Sequence, residues 1–108
     1  MLTTRLGPEQ LKELEQNVRE AAKKFPGEVA WVRYSFGEDW SGDPAIYFRI
    51  VLTDEASSGD RLREVADRVE NALFDDLRLS EPEYSEYNAY FNFRSKSEVD
   101  KLKEPEWE

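Results

Sequence analysis

The chain of 108 residues contains no cysteine and no histidine. Without cysteine it cannot form a disulfide framework, a thiolate zinc site or a cysteine nucleophile. Without histidine it lacks the most common general base and the most common metal ligand, and it cannot build a Ser-His or Cys-His relay. These two absences exclude the most widespread forms of nucleophilic catalysis.

Long apolar runs are also lacking. No stretch approaches the roughly 18 apolar residues that a membrane-spanning helix requires, and the first ten residues do not contain the apolar core of a signal peptide. The length is typical of one domain, so we expect a single domain over residues 1–108. A cytoplasmic location is the expectation that follows.

Positive charge is scarce, and the formal net charge is −9. The segment 37–81 accounts for most of this negative net charge, with 12 acidic and 5 basic side chains. This balance repels nucleic acid at long range and removes the electrostatic attraction on which non-specific binding to DNA or RNA depends. Nucleic acid is therefore a disfavoured partner, whereas a protein partner is compatible with the charge.

Apolar periodicity predicts two amphipathic helices. In residues 8–25 apolar side chains recur every three or four positions, and the pair Gly7-Pro8 is typical of a helix start. The same spacing recurs in residues 59–77. We expect both apolar stripes to face a common core.

Three further segments, 28–36, 45–53 and 87–94, are rich in β-branched and aromatic residues and predict strands. Side chains alternate between the two faces of a strand, so alternate positions should share one face. The apolar, inward-facing set is expected to be Ala30, Val32, Tyr34, Phe36, Ile46, Phe48, Ile50, Leu52, Tyr87, Ala89, Phe91 and Phe93.

The resulting order is α-β-β-α-β, followed by a short C-terminal helix at about 97–103. This order predicts an α+β fold, a two-layer sandwich in which two helices cover one face of a three-stranded sheet. The core should lie within residues 8–95. The acidic segment 96–108 then carries Trp107, which we expect to dock either on the protein's own surface or in the groove of a partner.

If the helices cover one face, the other face is open. Aromatic and arginine side chains concentrate there, and these residue types are favoured in protein-binding hot spots. The same groups could stack on single-stranded RNA, or they could form an ordinary solvated surface. The expected partner-binding residues are Trp31, Arg33, Tyr47, Arg49, Tyr90, Asn92 and Arg94 on the sheet and Trp107 in the tail.

The loop at 38–43 gathers carboxylates between the first two strands. Glu38 and Asp43 lie in it, and Asp54 follows the second strand. Carboxylate oxygens are the ligands that Mg²⁺ prefers, so a metal-dependent nucleotidyl or phosphoryl transferase is an alternative function. The spacing of a calcium loop is absent, and a solvated acidic turn is the other interpretation. No cofactor is expected outside this alternative.

The layout of residues 28–95 resembles that of small bacterial nucleotidyltransferase-like proteins, the minimal type encoded beside a HEPN-domain partner in two-gene toxin–antitoxin modules. In that family a strand and a glycine turn precede an acidic strand, as residues 32–37 precede residues 43–54 here. The GEDW–SGDPAI–F signature and the LKEP–W tail are also similar to those of small bacterial proteins in such gene pairs.

Two positions depart from the family pattern. Gly37 is followed by Glu38 instead of serine, and Ala45 stands where a second metal-binding carboxylate would follow Asp43. The resemblance therefore implies a degenerate relative that has lost the two-metal clamp. What remains is the binding of a HEPN-like partner.

Together these observations favour a small, non-enzymatic protein-binding module, the antitoxin-like half of a two-gene module. It would contact its partner through the open sheet face and the 38–43 loop. A homo-oligomer is also compatible with such a face.

Overall fold

The computed structural model describes residues 6–82, 84 and 86–107. The elements are α1 (Pro8–Ala22), β1 (Val29–Glu38), β2 (Pro44–Leu52), α2 (Arg61–Asp76), β3 (Asn88–Ser95) and α3 (Lys96–Leu102), with a 3-10 turn at Pro105–Trp107. The α+β fold and the predicted order with a short C-terminal helix are confirmed.

The three strands form one sheet in the order β1-β2-β3, so β2 is central and the other two strands are edges. β1 and β2 are antiparallel and joined by a hairpin loop, whereas β2 and β3 are parallel. A parallel pair requires a crossover connection, which α2 supplies. Phe48 and Phe91 are neighbours in the parallel register, and their rings stack with centroids 5.1 Å apart.

The two long helices cover one face of the sheet, as predicted. Leu14 and Val18 of α1 and Val65, Val69 and Leu73 of α2 are buried there in one cluster. Burial of such side chains stabilises the fold by roughly 1.5–3 kcal/mol each. The central strand contributes four fully buried residues to this cluster, Ile46, Phe48, Ile50 and Leu52.

The predicted set of inward-facing residues is wrong at one position. Ala30 is exposed, because the register shifts between Val29, which pairs with Leu52, and Trp31, which pairs with Val51. The extra residue is a β-bulge, and it reverses the alternation of faces at the start of the strand. Val29 therefore packs against the core in place of Ala30.

The opposite face of the sheet is not fully open. α3 and the 3-10 turn fold back over it, and Val51, Val99 and Trp107 form a second buried cluster with Trp31 packed against it. The face that was predicted to be open therefore has a part that is covered by α3 and the 3-10 turn and a part that is uncovered.

A capping box starts α3 directly after β3, because Ser95 is both the last residue of the strand and the N-cap of the helix. The Ser95 hydroxyl accepts a hydrogen bond from the Glu98 amide (3.2 Å), and the Glu98 carboxylate accepts one from the Ser95 amide (3.3 Å). The helix thus begins slightly earlier than the sequence predicted. None of the described helices is long and apolar enough to cross a membrane.

Candidate functional site

The covered part of the sheet face holds three of the predicted partner-binding residues. Trp31 Nε1 donates a hydrogen bond to the carbonyl oxygen of Trp107 at 2.7 Å. The guanidinium of Arg94 lies 4.6 Å from the centre of the Trp107 ring, and its Nη1 is 3.1 Å from Glu104 Oε1. Trp107 is only 6% exposed. These residues contact one another through the tail, so Trp107 docks on the protein's own surface.

The uncovered part consists of the other five predicted residues, Arg33, Tyr47, Arg49, Tyr90 and Asn92, and we call it the tyrosine face. Tyr47 and Tyr90 are neighbours on β2 and β3, and their rings stack with centroids 5.4 Å apart and planes inclined by 20°. Because adjacent strands fix the two backbones, the pair is held in place before any partner arrives.

Two arginines lie next to each other on the tyrosine face. Arg33 and Arg49 are direct partners in the antiparallel register. Like charges placed directly opposite each other destabilise a sheet. Arg49 Nη1 donates a hydrogen bond to Ser35 Oγ at 2.9 Å, and Arg49 has no ion pair within the described part of the chain. Arg49 therefore adds positive charge to this face of a chain whose net charge is −9.

The hairpin loop at 39–43 is organised by the carboxylate of Asp39. Its Oδ1 accepts hydrogen bonds from the Ser41 amide (3.0 Å), the Ser41 hydroxyl (2.6 Å) and the Asp43 amide (3.0 Å). Gly42 adopts a φ of +86°, which glycine tolerates without strain. The loop thus closes on its own first residue.

The same carboxylate ties the loop to β3. Asp39 Oδ2 accepts from Asn88 Nδ2 and from the Tyr90 hydroxyl, both at 2.9 Å. Hydrogen bonds from Ser41 first, then from Asn88 and Tyr90, hold the pKa of Asp39 far below its usual range. The pKa of Tyr90 is raised, mainly because its hydroxyl donates to this carboxylate. The loop and the tyrosine face form one connected surface.

Trp40 lies at the tip of this loop and is 93% exposed. The residues on both sides of it are fixed, since Asp39 bonds Ser41 and the Asp39 amide donates to the Asp43 carbonyl at 2.9 Å. The indole is therefore presented to solvent on an ordered backbone.

The three carboxylates expected to bind metal in the alternative function do not converge on one site. Asp43 precedes β2 and Asp54 follows it, and a strand of nine residues spans about 30 Å. Glu38 ends β1 beside the hairpin loop. Among residues 6–82, 84 and 86–107, no three His, Cys, Asp or Glu side chains are grouped so that they could hold a metal ion.

Asp54 has a structural contact instead. It accepts hydrogen bonds from the Ser97 amide (2.9 Å) and the Ser97 hydroxyl, which join the end of β2 to the first turn of α3. These bonds lower the pKa of Asp54. We call this contact the Asp54–Ser97 latch.

Sequence reasoning missed the central role of Asp39. The signal was present, because an Asp followed two residues later by Ser and three later by Gly is typical of an Asx turn. No local sequence pattern indicated the hydrogen bonds of Asp39 with Asn88 and Tyr90, since these residues lie 49 and 51 positions further along the chain.

No protein-family model matches the chain, and no curated protein sequence shows significant similarity to it. Solved structures of variants of the MamM CTD are similar in fold. A triple-substitution variant has 15% identity and a TM-score of 0.50 over 82% of this chain and 98% of that chain. A single- and a double-substitution variant each have 16% identity and a TM-score of 0.50 over 82% of this chain, covering 98% and 96% of their own chains. At such identities the similarity shows that this chain shares the fold of these domains.

Proposed function

We propose that this chain is a non-enzymatic protein-binding module that contacts its partner through the tyrosine face and the hairpin loop. The observation that carries the proposal is Trp40, which is 93% exposed on a loop closed by the Asp39 carboxylate. Tryptophan is the residue type most enriched in binding hot spots.

The order of the loop supports the proposal. A binding residue on a flexible loop loses conformational entropy when the partner arrives, whereas a residue on an ordered loop has lost most of it already. The bonds from Asp39 to Ser41, Asn88 and Tyr90 supply that order. Burial of the Trp40 indole by a partner would then contribute directly to affinity.

The charges indicate the chemistry of the contact beside Trp40. The guanidinium of Arg49 lies on the tyrosine face, so a carboxylate from the partner placed beside it would accept charge-assisted hydrogen bonds. The stacked rings of Tyr47 and Tyr90 offer an aromatic surface next to this position. The favoured partner segment therefore combines an acidic and an apolar side chain.

The finer proposal is that this partner is a HEPN-like protein encoded by a neighbouring gene, as the sequence resemblance implies. The nucleotidyltransferase-like kinship remains a prediction. Co-expression with the neighbouring reading frame tests the proposal of a HEPN-like partner. A stable complex with a HEPN-like protein would support an antitoxin-like role, and a neighbouring gene that encodes an unrelated type of protein would contradict it.

Affinity capture from a lysate of the source organism tests the general proposal. The tagged wild-type chain, Trp40→Ala and a control, Leu102→Ala, are compared by quantitative mass spectrometry. Leu102 is 49% exposed on α3, away from the hairpin loop, so its truncation removes an exposed apolar side chain elsewhere. We expect one protein to be retained by the wild type and the control and lost from Trp40→Ala. Equal retention by all three would overturn the proposal.

A further inference from the structure

β3 is an edge strand, and its outer edge is unpaired. It bonds only to β2 in the sheet, and no backbone hydrogen bond joins its outer side to another segment of the described chain. Protected edge strands usually carry proline, inward-pointing charge or a bulge. The eight residues of β3 contain no proline and one charged side chain, Arg94, at the far end. The strand is therefore open to pairing with a further strand.

A groove runs along this edge between β3 and α2. It consists of two adjoining depressions of about 900 Å³ and 650 Å³, and both are lined by Glu70 and Phe91. Leu62 and Phe74 of α2, each 41% exposed, lie along it, and Phe93 forms part of its floor. The groove thus presents apolar surface beside an unpaired backbone.

The charged groups around this groove are mostly acidic. Asp39 lies at one end, Asp60 at the other, and Asp67 and Glu70 between them, whereas Arg63 is the basic residue of the lining. A cationic occupant would complement this charge. Lysine and arginine suit the combination of surfaces, because their stems cover apolar groups while their charged ends reach carboxylates.

From this arrangement we infer that the β3–α2 groove binds an extended, basic peptide segment, which adds to β3 as a fourth strand. Its backbone pairs with the outer edge of β3, the mode known as β-augmentation. The side chains on its helix-facing side lie over Leu62 and Phe74 and direct their cations towards Asp67 and Glu70. Trp40 and Tyr90 also line the larger depression, so the groove adjoins the contact proposed for the hairpin loop and the tyrosine face. The inference adds a second binding element, the outer edge of β3 with the exposed side chains of α2, to that proposed function.

A second copy of the chain is a poorer occupant. Pairing two β3 edges about a twofold axis would bring each groove against its own equivalent, since such an interface is self-complementary. The carboxylates of Asp60, Asp67 and Glu70 would then face a surface of the same sign on a chain of net charge −9.

The test uses two capped decapeptides, one alternating lysine with valine and one alternating glutamate with valine. They have equal strand propensity and opposite charge. Each is titrated into the ¹⁵N-labelled protein at 150 mM salt, and amide shifts and hydrogen exchange are recorded. We expect saturable shifts with the lysine peptide in residues 62–74 and 88–95, and slower exchange of β3 amides. The glutamate peptide should produce neither.

Glu70→Lys and Glu13→Lys provide a matched pair of variants. Both replace an exposed helical glutamate, but Glu13 lies on α1 outside the groove. We expect Glu70→Lys to weaken binding of the lysine peptide about fivefold, the upper end of the range for one exposed ion pair, and Glu13→Lys to change it less than twofold.

Three outcomes would overturn the inference. They are equal weakening by the two variants, β3 amides that stay unprotected at saturation, and a concentration-dependent dimer, seen by sedimentation, that protects β3 without peptide. The last would assign the groove to a second copy. Because the natural partner is not used, failure here is separate from failure of the capture experiment.

Discussion

Trp31 Nε1 donates a hydrogen bond of 2.7 Å to the Trp107 carbonyl oxygen, and this bond joins two residues that are 76 positions apart in the chain. The bond fixes the C-terminal 3-10 turn to the first strand. Around it Val51, Val99 and Trp107 form a cluster separate from the main core. The tail is therefore a packed layer of the fold.

Trp107→Ala should destabilise the protein. Trp107 is buried against Trp31, Val51 and Val99, and truncation of a buried tryptophan typically costs about 3–5 kcal/mol. We expect a loss of about 3 kcal/mol in the free energy of unfolding, measured by urea denaturation. The matched control is Trp40→Ala, which removes an indole that is 93% exposed and should change stability by less than about 0.5 kcal/mol. Similar values for the two variants would contradict the packed tail.

Charge reversal separates the covered part of the sheet face from the tyrosine face. Arg94→Glu loses the contact with the Trp107 ring and places a second carboxylate beside Glu104, so we expect a loss of about 1–2 kcal/mol. Arg49→Glu places a carboxylate opposite Arg33 and should leave stability unchanged or slightly higher. Thermal unfolding of both variants checks this order, and the reverse order would show that the faces are assigned wrongly.

The Asp54–Ser97 latch should hold α3 on the sheet. Asp54→Asn keeps the size of the side chain but removes the charge that the Ser97 bonds favour. We expect faster hydrogen exchange in residues 96–102 and little change in β2. Since the pKa of folded Asp54 is lowered, the contribution of the latch is present above the unfolded value of about 3.9 and is lost as the pH falls through the folded value. The protection factors of the wild-type α3 amides, which are corrected for the intrinsic pH dependence of exchange, should therefore decrease as the pH falls below about 4. Equal exchange rates of the α3 amides in the variant and the wild type would contradict the claim that the Asp54–Ser97 latch holds α3 on the sheet.

Asp39 should make the hairpin loop sensitive to acid. Its folded pKa is depressed by Ser41, Asn88 and Tyr90, so its stabilising contribution is present above the unfolded value of about 3.9 and declines as the pH falls through the lower folded value. Carbonyl-detected NMR should show the Asp39 carboxyl ionised when ordinary aspartates are already half protonated. Titration of Asp39 at an ordinary pKa would contradict the bonding described.

The Tyr90 phenol provides a second readout of the same contact. Its pKa is raised because the hydroxyl donates to the ionised Asp39 carboxylate. Asp39→Asn should therefore lower the pKa of Tyr90, as measured by NMR titration of the individual tyrosine ring signals. Tyr34 is a useful internal reference, since its pKa is raised chiefly by burial and should not respond to the substitution.

The sequence was sufficient for the features that depend on local periodicity. Apolar spacing placed α1 and α2, and alternation placed Ile46, Phe48, Ile50 and Leu52 in the core. It failed at Ala30, because a bulge of one residue leaves no distinct mark in composition.

Long-range contacts were also out of reach. The positions of Trp107 over Trp31 and of Tyr90 on Asp39 depend on how the strands and the tail are arranged in space. Sequence parity alone could only place Trp31 and Tyr90 on the same face of the sheet. Which part of that face stays uncovered was decided by α3.

The most direct test of the account is the affinity of the captured partner for the wild type, Trp40→Ala and Leu102→Ala, measured by isothermal titration calorimetry. We expect Trp40→Ala to weaken binding about 30-fold or more, the effect of a hot-spot residue worth about 2 kcal/mol, with Leu102→Ala close to the wild type. Equal affinities for the wild type and Trp40→Ala would contradict the claim that the hairpin loop and the tyrosine face are the binding surface.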